Sequence, residues 1–551
     1  MPAKQMQEAR LTEAYSERVT GKPPVHDALI VGFGPTGATL ANLLARSGLD
    51  VAVVDAARDI YDKPRAITLD HEVMRVFQAG GRAHEIAPFT APHPGTHYLG
   101  VDGRVIKKFD PLPPPYPLGW PPTVTFVQPE VEALLRAGVT GARNVDILLG
   151  EPAVAFAQDR EGVALTLRDG QRLRARYLLA CDGANSFVRK ELDVPLEDLA
   201  FDEWWLVVDA RIVRETVLPE KCIQYCWPSR PATFVLGPGN LRRWEIKMLP
   251  GETPEEFGRS DNVERLLSRF VDPDSVEIWR SAVYRFHALL AARWRYRRVF
   301  LLGDACHQTP PFLGQGMCAG IRDAANLAWK LAFVLRDGAP ESLLDSYELE
   351  RAPHVRRLVA TAKEFGQIIG ELDPVAARAR DDRLRGQLER GEAETIRQRY
   401  IPDLTSGIID HRPAAKAAGA LFVQPQVRQP GGAALLDDVL PPRFLIVTAT
   451  ADIQARMSSS ARAKWRRLQG ERVVLRRADQ PASPSGDGVR ELIETNGLFA
   501  DWASRQGCAA AVVRPDRYVF GLARDAIELD RLVTDVDRQV FGSDVSEEDR
   551  S

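Results

Sequence analysis

The chain has 551 residues, of which 45% are hydrophobic and 27% are charged, and its formal net charge is −3. This balance gives no whole-chain attraction to nucleic acid or to an anionic membrane surface, and no apolar run approaches the ~20 residues of a membrane span. Six cysteines in so long a chain do not form a disulfide framework, and Cys222 and Cys226 lack a nearby second pair that would complete a zinc site. We therefore expect a cytoplasmic protein of about two to four domains with reduced thiols, no bound metal, and neither nucleic acid nor membrane as a partner.

The first motif follows a charged segment, residues 1–24, which has no apolar core and is interpreted as a tail rather than a signal peptide. The next stretch, DALIVGFGPTGATLANLLARSGLDVAVVDAARD, contains a buried strand, a glycine-rich turn, a helix-forming segment and a second buried strand that ends at Asp55. The turn has the pattern G-x-G-x-x-G, and its residues are Gly32, Gly34, Pro35, Thr36 and Gly37.

Each glycine of this turn has a mechanical reason. Gly32 permits the tight turn, Gly34 lets the backbone approach a pyrophosphate, and Gly37 lets helix and strand pack closely. The helix N-terminus offers free N–H groups to the phosphates. Asp55 follows Gly32 by 23 residues, close to the spacing of an acid that binds a ribose hydroxyl. The pattern predicts a dinucleotide site, without distinguishing NAD(P) from FAD.

Two later segments also place an acid at the tip of a buried strand. ARYLLACDGANSFVRKELDV ends its strand at Asp182-Gly183, and Arg189 follows in a D-G-x-x-S-x-x-R pattern. LLGDACHQTPPFLGQGMCAGIRDAANLAWKL ends its strand at Gly303-Asp304 and passes through a proline- and glycine-rich loop into a helix. A helix N-terminus favours negative charge, so this layout indicates a polar, partly anionic ligand.

With these motifs in this order, the chain resembles the FAD-dependent aromatic hydroxylases, which are single-component flavoprotein monooxygenases. The resemblance implies that Asp304 binds the ribityl chain of FAD, and that Asp182, Gly183 and Arg189 lie between FAD and bound NAD(P)H. It also implies that the loop after Asp304 runs beside the isoalloxazine ring. The residues expected there are Pro311, Gly314, Gln315, Gly316 and Met317, and Gly303 of the G-D motif is also expected to bind the cofactor.

Two further positions match the family, and one departs from it. Arg65 in DKPRAITLDHEVMR and Gln128 in FVQPEVEALLRAG stand where relatives contact the cofactor. Phenol-hydroxylase-like relatives carry an acid or histidine two residues after the arginine, where it takes the phenol proton, but this chain has Ile67. The catalytic base is therefore left unassigned. Asp70 and His71 are interpreted as exposed or capping side chains, and His307 as support for its loop.

The expected fold class is α/β. An FAD-binding Rossmann-like domain of the glutathione-reductase type is predicted at residues 25–200 and 290–370, with 98–122 contributing to the substrate side. Alternating polar and apolar residues predict an antiparallel sheet at 201–289, and a helical linker is predicted at 371–429. The resemblance implies that the sheet binds the substrate and that residues 430–541 form a thioredoxin-like domain. That last domain lacks C-x-x-C, so we expect structural support or a homodimer contact rather than thiol chemistry. The cations Arg230, Arg242, Arg243 and Lys247 could pair with a substrate carboxylate, but each is predicted to be solvated at the surface.

Several segments are most similar to one branch of the family, the 3-(3-hydroxyphenyl)propionate hydroxylases; they include MLPGETPEE, GQGMCAGIRDAANLAWKLAFVL and VVRPDRYVFGLA. The resemblance implies that the enzyme takes hydride from NADH or NADPH, reacts with O2 and hydroxylates a phenolic substrate ortho to its hydroxyl. The product would be 2,3-dihydroxyphenylpropionate, in aromatic catabolism. Two alternatives stay open: a hydroxylase of another phenol (alkylphenol, resorcinol or polyketide), and a flavin-binding redox partner or scaffold that does not hydroxylate.

Overall fold

The computed structural model describes residues 26–412, 415, 417–480 and 488–542, so the predicted tail at 1–24 lies outside the described residues. In this part of the chain, four β-sheets are arranged with helices packed against them. The α-helices are Pro35–Arg46, His71–Ala79, Ala83–Ile86, Gln128–Ala137, Phe187–Glu191, Pro254–Phe257, Ser260–Leu267, Gly316–Arg336, Asp345–Gly370, Pro374–Glu389, Leu436–Val439, Asp452–Ala455, Ser459–Arg467, Leu498–Gln506 and Ala526–Phe541. No helix among the described residues is long and apolar enough to cross a membrane.

The first sheet is built on parallel strands that are buried on both faces. Their apolar sequences, such as ALIV at 28–31 and VAVV at 51–54, are what a sheet covered by helices on each side requires. In spatial order its strands are Arg295–Tyr296, Val299–Leu301, Arg172–Ala180, His26–Val31, Val51–Asp55 and Val145–Leu149, and the antiparallel pair Val163–Leu167 and Ala153–Gln158 extends from the third of them.

The second sheet has eight strands, most of them antiparallel. In spatial order they are His307–Gln308, Val276–Ala291, Leu196–Ile212, Leu241–Lys247, Ala232–Leu236, Cys222–Tyr225, Thr96–Leu99 and Val105–Phe109. Side chains alternate between its faces. One face, with Leu206, Phe234 and Trp244, packs on the short helices near residues 254–267. The opposite face is turned towards the first sheet.

Two smaller layers complete the chain. A three-stranded sheet joins Thr68–Asp70, Thr123–Phe126 and Thr90–Pro92 beside the first sheet. The C-terminal sheet has the strand order Gly432–Leu435, Gln426–Gln429, Val489–Glu494, Glu471–Arg477, Leu445–Thr448, Ala510–Val513 and Val519–Ala523.

A buried ion cluster fastens the C-terminal unit to the long helices. The Glu350 carboxylate accepts hydrogen bonds from Lys330 Nζ (2.9 Å), Arg514 Nη2 (2.8 Å) and Asn326 Nδ2 (2.5 Å). Burial alone would raise the pKa of Glu350, but the charges of Arg514 and Lys330 outweigh it and hold that pKa at about 2. The acid is therefore ionised at any working pH and balances cations from two parts of the chain.

We expect Glu350→Gln to lower the free energy of unfolding by about 3–5 kcal/mol, because the amide leaves the buried Lys330 without an anionic partner, whereas Arg514 keeps its ion pair with Asp516 at 2.6 Å. Denaturant titration followed by tryptophan fluorescence measures the change. Glu341→Gln is the control, since it breaks a surface pair with Arg298 at 2.9 Å that is worth less than about 1 kcal/mol. Equal free energies of unfolding for the two variants would show that the buried cluster contributes no more to stability than a surface ion pair.

Candidate cofactor and substrate site

The strand-end motifs meet at one edge of the first sheet. Val31 is in register with Val54 on one side and Ala180 on the other, and Ala180 is in register with Leu301. The residues that follow these four positions therefore emerge side by side at the carboxyl ends of parallel strands. In open α/β sheets this edge is where ligands bind. The glycine turn, the D-G segment and the G-D segment consequently share one cleft.

The three glycines of the turn differ in what surrounds them. A side chain on Gly32 would collide with the Cys181 carbonyl, and one on Gly37 would collide with the Gly32 carbonyl. These two positions need glycine for close packing within the protein. At Gly34 an added Cβ meets no protein atom within 4 Å, so the backbone there faces open space. This is the approach surface that a pyrophosphate requires.

The rest of the turn is held by side chains from both flanks. Asp55 accepts a hydrogen bond from the Phe33 N–H at 2.6 Å and another from the Ala57 N–H at 2.8 Å. Pro35 begins the helix Pro35–Arg46, where a missing N–H costs nothing. The Thr36 hydroxyl packs against the backbone of Gly303, whose added Cβ would lie 2.8 Å from it. Thr36 thus joins the first turn to the G-D segment.

The D-G segment presents an acid with one unused oxygen. Asp182 Oδ2 accepts from the Val188 N–H at 3.0 Å, whereas buried Oδ1 has no hydrogen-bond partner among the described residues. Burial raises the pKa of Asp182, and hydrogen bonds from Ser186 and the backbone oppose the shift. Gly183 has φ = +78° and open space beside it. An unsatisfied oxygen next to open backbone is suited to a ligand with donors.

Arg189 is placed differently from what a residue facing a cosubstrate would need. Its guanidinium is buried and donates to the carbonyls of Ala305 (3.0 Å) and Ala184 (2.9 Å). It therefore ties the D-G segment to the residue after Asp304. The expected contact of Arg189 with NAD(P)H stays a prediction. In the structure, its guanidinium connects the D-G segment to the G-D segment.

Asp304, Arg65 and Gln128 form the next part of the cleft. The Asp304 side chain is exposed in it, although surrounding protein raises the pKa of its carboxyl against the opposing effects of His307 and Arg65. Because this carboxyl is exposed, it is ionised at neutral pH. Gln128 Oε1 accepts from the N–H groups of Arg65 (2.9 Å) and Ala66 (2.7 Å), so it shapes the arginine segment.

The loop after Asp304 ends at a helix N-terminus that no side chain caps. Pro311–Leu313 form a 3-10 turn, and Gly314 takes a left-handed conformation with φ = +60°. The helix Gly316–Arg336 follows, and its first N–H groups have no intrahelical acceptor. A Cβ on Gly316 would meet open space. The half-buried Met317 packs on the core, so the backbone rather than its side chain is available to a ligand.

The Gln315 side chain is committed elsewhere. Its amide donates to Asp70 Oδ2 at 3.1 Å and accepts from Arg322 Nη1 at 2.8 Å, within a buried cluster that also includes Glu72. Only the backbone of Gln315 can therefore serve the cleft. Asp70 also caps the helix His71–Ala79 by accepting from the Val73 N–H at 3.1 Å, as predicted. His71 is buried rather than exposed, and burial lowers its pKa to about 4.

Residues that the motifs did not reveal hold the G-D segment in position. The fully buried Asp323 carboxylate accepts from the Gly303 N–H (3.0 Å), His307 Nε2 (2.7 Å) and Arg351 Nε (2.8 Å). Cys306, His307 and Asp323 bring their donor atoms within 4.8 Å of one another. The charge of Asp323 is already neutralised by Arg351. Asp323 and His307 therefore hold the loop at Gly303 in position. This agrees with the interpretation of His307 as loop support.

The inner face of the eight-stranded sheet lies beside the cleft. Buried arginines clamp it to the first domain: Arg243 pairs with Asp209 at 2.7 Å and donates to the Arg65 carbonyl at 2.8 Å. At the other side Trp205 packs against Phe312 of the loop, with ring centroids 5.1 Å apart. The sheet thus contacts the cofactor side of the chain at two places, the Arg65 segment and Phe312 of the loop.

The four cations considered from the sequence as partners of a substrate carboxylate already bind other groups of the protein. Surface solvation is the wrong prediction for Arg230, Arg243 and Lys247, which are buried because they pair with acids. Arg242, half-buried, donates to backbone carbonyls. A cation that sequence reasoning missed is half-buried Arg397, which donates to the Leu313 carbonyl at 2.7 Å. Residues 377–400 are rich in Arg and Glu, and no sequence motif distinguishes Arg397 from the other arginines there.

The cleft fits FAD on three observations: open backbone at Gly34, an unpaired Asp182 oxygen, and an uncapped helix N-terminus at Gly316. Fold and cleft together define a dinucleotide-binding flavoprotein whose cleft lies beside an eight-stranded sheet. The match to known proteins is more specific. The FAD binding domain model matches residues 26–362, and the HcaD C-terminal domain model matches 419–539.

Relatives cover almost the whole chain. A 3-(3-hydroxy-phenyl)propionate/3-hydroxycinnamic acid hydroxylase of Comamonas testosteroni is 33% identical over 560 residues, covering 90% of this chain and 94% of that protein. A probable NADH-specific resorcinol 4-hydroxylase of Rhodococcus jostii (strain RHA1) is 35% identical over 509 residues, covering 91% and 93%. The structure of aklavinone-11 hydroxylase with FAD and aklavinone has the same fold, with TM-score 0.73, 23% identity, and coverage of 95% of this chain and all of that one.

The chain belongs to the FAD-dependent class A monooxygenases. It is a flavoprotein aromatic hydroxylase that uses NAD(P)H, with an α/β FAD-binding fold and an additional C-terminal domain.

We expect Gly34→Val to yield folded but colourless protein, because an added Cβ meets no protein atom within 4 Å and the branched side chain would occupy the space that the pyrophosphate needs. Flavin absorbance per chain and the thermal unfolding midpoint measure the two properties. Gly37→Ala is the matched comparison, since its methyl group collides with the Gly32 carbonyl and should lower stability. Normal flavin content in the Gly34 variant would contradict the placement of the pyrophosphate.

We expect Asp304→Ala to weaken FAD binding about tenfold or more, since a hydrogen bond to a charged group contributes roughly 1.5–3 kcal/mol. The dissociation constant is measured by adding FAD to the apoprotein and following fluorescence. Asp382→Ala removes an exposed acid from the helix Pro374–Glu389 and serves as the control. Unchanged affinity in the Asp304 variant would show that its carboxylate does not contact the cofactor.

Proposed function

We propose that the enzyme hydroxylates 3-(3-hydroxyphenyl)propionate ortho to its hydroxyl group, giving 2,3-dihydroxyphenylpropionate in aromatic catabolism in the cytoplasm. Bound FAD supplies hydride acceptance from NADH or NADPH and activation of O2. The protein contributes a compartment between the Pro311–Leu313 loop and the inner face of the eight-stranded sheet. Support for an acidic phenol comes from the relatives and from one cation beside that compartment.

That cation is Arg397, which carries the proposal. It lines a cavity together with Thr96 and Phe109 from the edge of the eight-stranded sheet. No carboxylate among the described residues lies within ion-pair distance of it. A half-buried guanidinium without an anionic partner suits a carboxylate ligand, because the two planar groups can form paired hydrogen bonds. A propionate side chain would supply that anion.

Resorcinol is the second candidate, favoured by the 35% identity to the Rhodococcus protein. It carries the same phenol but no carboxylate, so it would leave Arg397 without an anion. The two candidate substrates therefore differ in whether they can form an ion pair with Arg397, which can be measured.

We further propose the cofactor roles expected from the sequence for bound FAD. Asp55 would bind the ribose, Asp304 the ribityl chain, and the backbone around Gly316 the electron-rich edge of the flavin ring. The open backbone at Gly34 and the uncapped helix N-terminus support this arrangement. In it, the Gln128 side chain acts by holding the Arg65 backbone.

For the C-terminal unit we propose a thioredoxin-like fold. Support comes from its parallel β-α-β unit, Leu445–Thr448, Ser459–Arg467 and Glu471–Arg477, followed by the antiparallel pair Ala510–Val513 and Val519–Ala523 and a final helix. We assign it a supporting role. The homodimer stays a prediction, which analytical ultracentrifugation would check.

The test is a substrate panel that scores NAD(P)H oxidation against dihydroxylated product for 3-(3-hydroxyphenyl)propionate, resorcinol and an alkylphenol. We expect wild type to prefer the acid. Arg397→Met should raise the KM for the acid about tenfold or more, by loss of a charged contact, and leave the KM for resorcinol unchanged. FAD content checks that the loop is intact. Preference for resorcinol by wild type would replace the proposed substrate.

A further inference from the structure

A polar row crosses the inner face of the eight-stranded sheet. Glu245 is in register with Thr233 on the neighbouring strand, and Thr233 with Gln224 on the next. Residues in register on adjacent strands project from the same face, so the three side chains form one row with strands ~4.8 Å apart. Thr233 Oγ1 donates to Gln224 Oε1 at 2.5 Å, which leaves the Gln224 amide N–H groups for another partner.

The row begins at Glu245, which lies between the two places where the sheet contacts the Arg65 segment and the loop. Two residues before Glu245 on the same face, Arg243 holds the carbonyl of Arg65. On the other side, the neighbouring row contains Trp205, in register with Lys247, and Trp205 packs on Phe312 of the loop. Glu245 therefore projects between the arginine segment and the loop, which is where the proposed function places the aromatic substrate.

Glu245 is a buried acid without a hydrogen bond. It is 7% exposed, and its nearest cation, Arg243 Nη1, is 3.8 Å from Oε1. No donor among the described residues is within hydrogen-bond distance of its carboxylate. Arg243 is itself saturated by Asp209 and two backbone carbonyls. A buried carboxylate normally has partners, so this one has acceptor capacity left for a ligand.

The charge around Glu245 is close to balanced. The charged groups that face it are Arg243 on its own strand, Asp209 on Leu196–Ile212 and Arg280 on Val276–Ala291, while Lys247 is paired with Glu203. The strands on the other side contribute the uncharged Thr233 and Gln224. Burial raises the pKa of Glu245, and Asp209 adds to the shift against Arg243 and Arg280. A base with a raised pKa is better matched to a phenol.

We propose that Glu245 is the catalytic base that accepts the proton of the substrate phenol, in the place of the acid that is absent at Ile67. The proposal rests on the proposed function, in which the substrate is a phenol hydroxylated ortho to its hydroxyl. The Gln224 amide, two strands away in the same row, would donate to a polar group further along the substrate.

The proposed reaction accounts for every proton, electron and oxygen atom. Glu245 takes the phenolic proton, the phenolate directs electron density to the ortho carbon, and one atom of O2 forms the new C–O bond. The second atom leaves as water, and NAD(P)H supplies the two electrons with one proton from solvent. The ring then loses its ortho C–H proton, which passes to the second oxygen atom and completes the water molecule, and Glu245 returns its proton to the original phenolic oxygen.

A structural alternative is that Glu245 only balances the charges of Arg243 and Arg280. Glu245→Gln separates the two roles. As a base, the wild-type acid should bind 3-(3-hydroxyphenyl)propionate to the oxidised holoenzyme as phenolate, seen as an ultraviolet difference spectrum without NAD(P)H. The variant should bind it as neutral phenol. A purely structural role would lower the unfolding midpoint but leave the phenolate signal in place.

The rate experiment follows product formation against pH. We expect Glu245→Gln to slow hydroxylation at pH 7 about 100-fold, the lower end of a general-base contribution. Wild-type activity should rise as pH passes the Glu245 pKa and then level, whereas the variant should recover towards pH ~10, where a phenol ionises in solution. Glu277→Gln, an exposed position on the strand Val276–Ala291, is the control and should match wild type.

The outcomes separate the hypotheses. If wild type hydroxylates phenols and Glu245→Gln does so within threefold at every pH, the proposal is overturned while the proposed function stands. If wild type hydroxylates none of the phenols, both fall together. Should the glutamine variant lose FAD, Glu245→Asp keeps the charge and retracts the carboxylate. A slower hydroxylation rate in that variant with normal FAD content supports the base, and an unchanged rate overturns it.

Discussion

The width of the compartment depends on buried arginines that reach from one layer to the other. Arg243 and Arg280 project from the eight-stranded sheet and donate to backbone carbonyls of the segment at Pro64 and Arg65. Carbonyl acceptors do not neutralise a cation, so two buried guanidinium groups need acids nearby. Asp209 pairs with both. The second negative charge of this set is Glu245, which is why an acid without hydrogen bonds is tolerated inside the sheet face.

Buried charged groups also join the C-terminal unit to the FAD-binding part of the chain. Tyr518 donates to Glu72 at 2.6 Å, and Glu72 pairs with Arg322 of the helix that follows the cofactor loop. Arg75 pairs with Asp437 through a buried contact at 2.5 Å. The cofactor loop and the C-terminal unit thus share one framework of buried charges. The supporting role proposed for this unit follows from such contacts rather than from any thiol chemistry.

The cofactor edge was predictable from sequence because its determinants are local. Strand, glycine turn and strand-end acid lie within about thirty residues of one another, and the resemblance ordered the remaining motifs. Asp323, Arg397 and Glu245 gave no such signal. Asp323 and Arg397 acquire their roles from contacts more than ten residues away, and the position of Glu245 depends on its register with Thr233 on the neighbouring strand. Arg243 and Lys247 were wrongly predicted to be solvated for the same reason: their acidic partners, Asp209 and Glu203, come from another strand. Gln315 belongs to the cofactor motif, yet its side chain is held by Asp70 from a distant segment.

The order of strands in the first sheet has a consequence for how the chain acquires its cofactor. Val299–Leu301 pairs with Arg172–Ala180, which in turn pairs with the first strand, so the cofactor edge joins segments nearly 280 residues apart. Contacts of such high sequence separation form late, because loop closure must precede them. During synthesis the ribosome must release the G-D segment and the helix Gly316–Arg336 before the edge is complete. FAD capture is therefore a late event in biogenesis, and the open strand edges of the incomplete sheet are exposed until then.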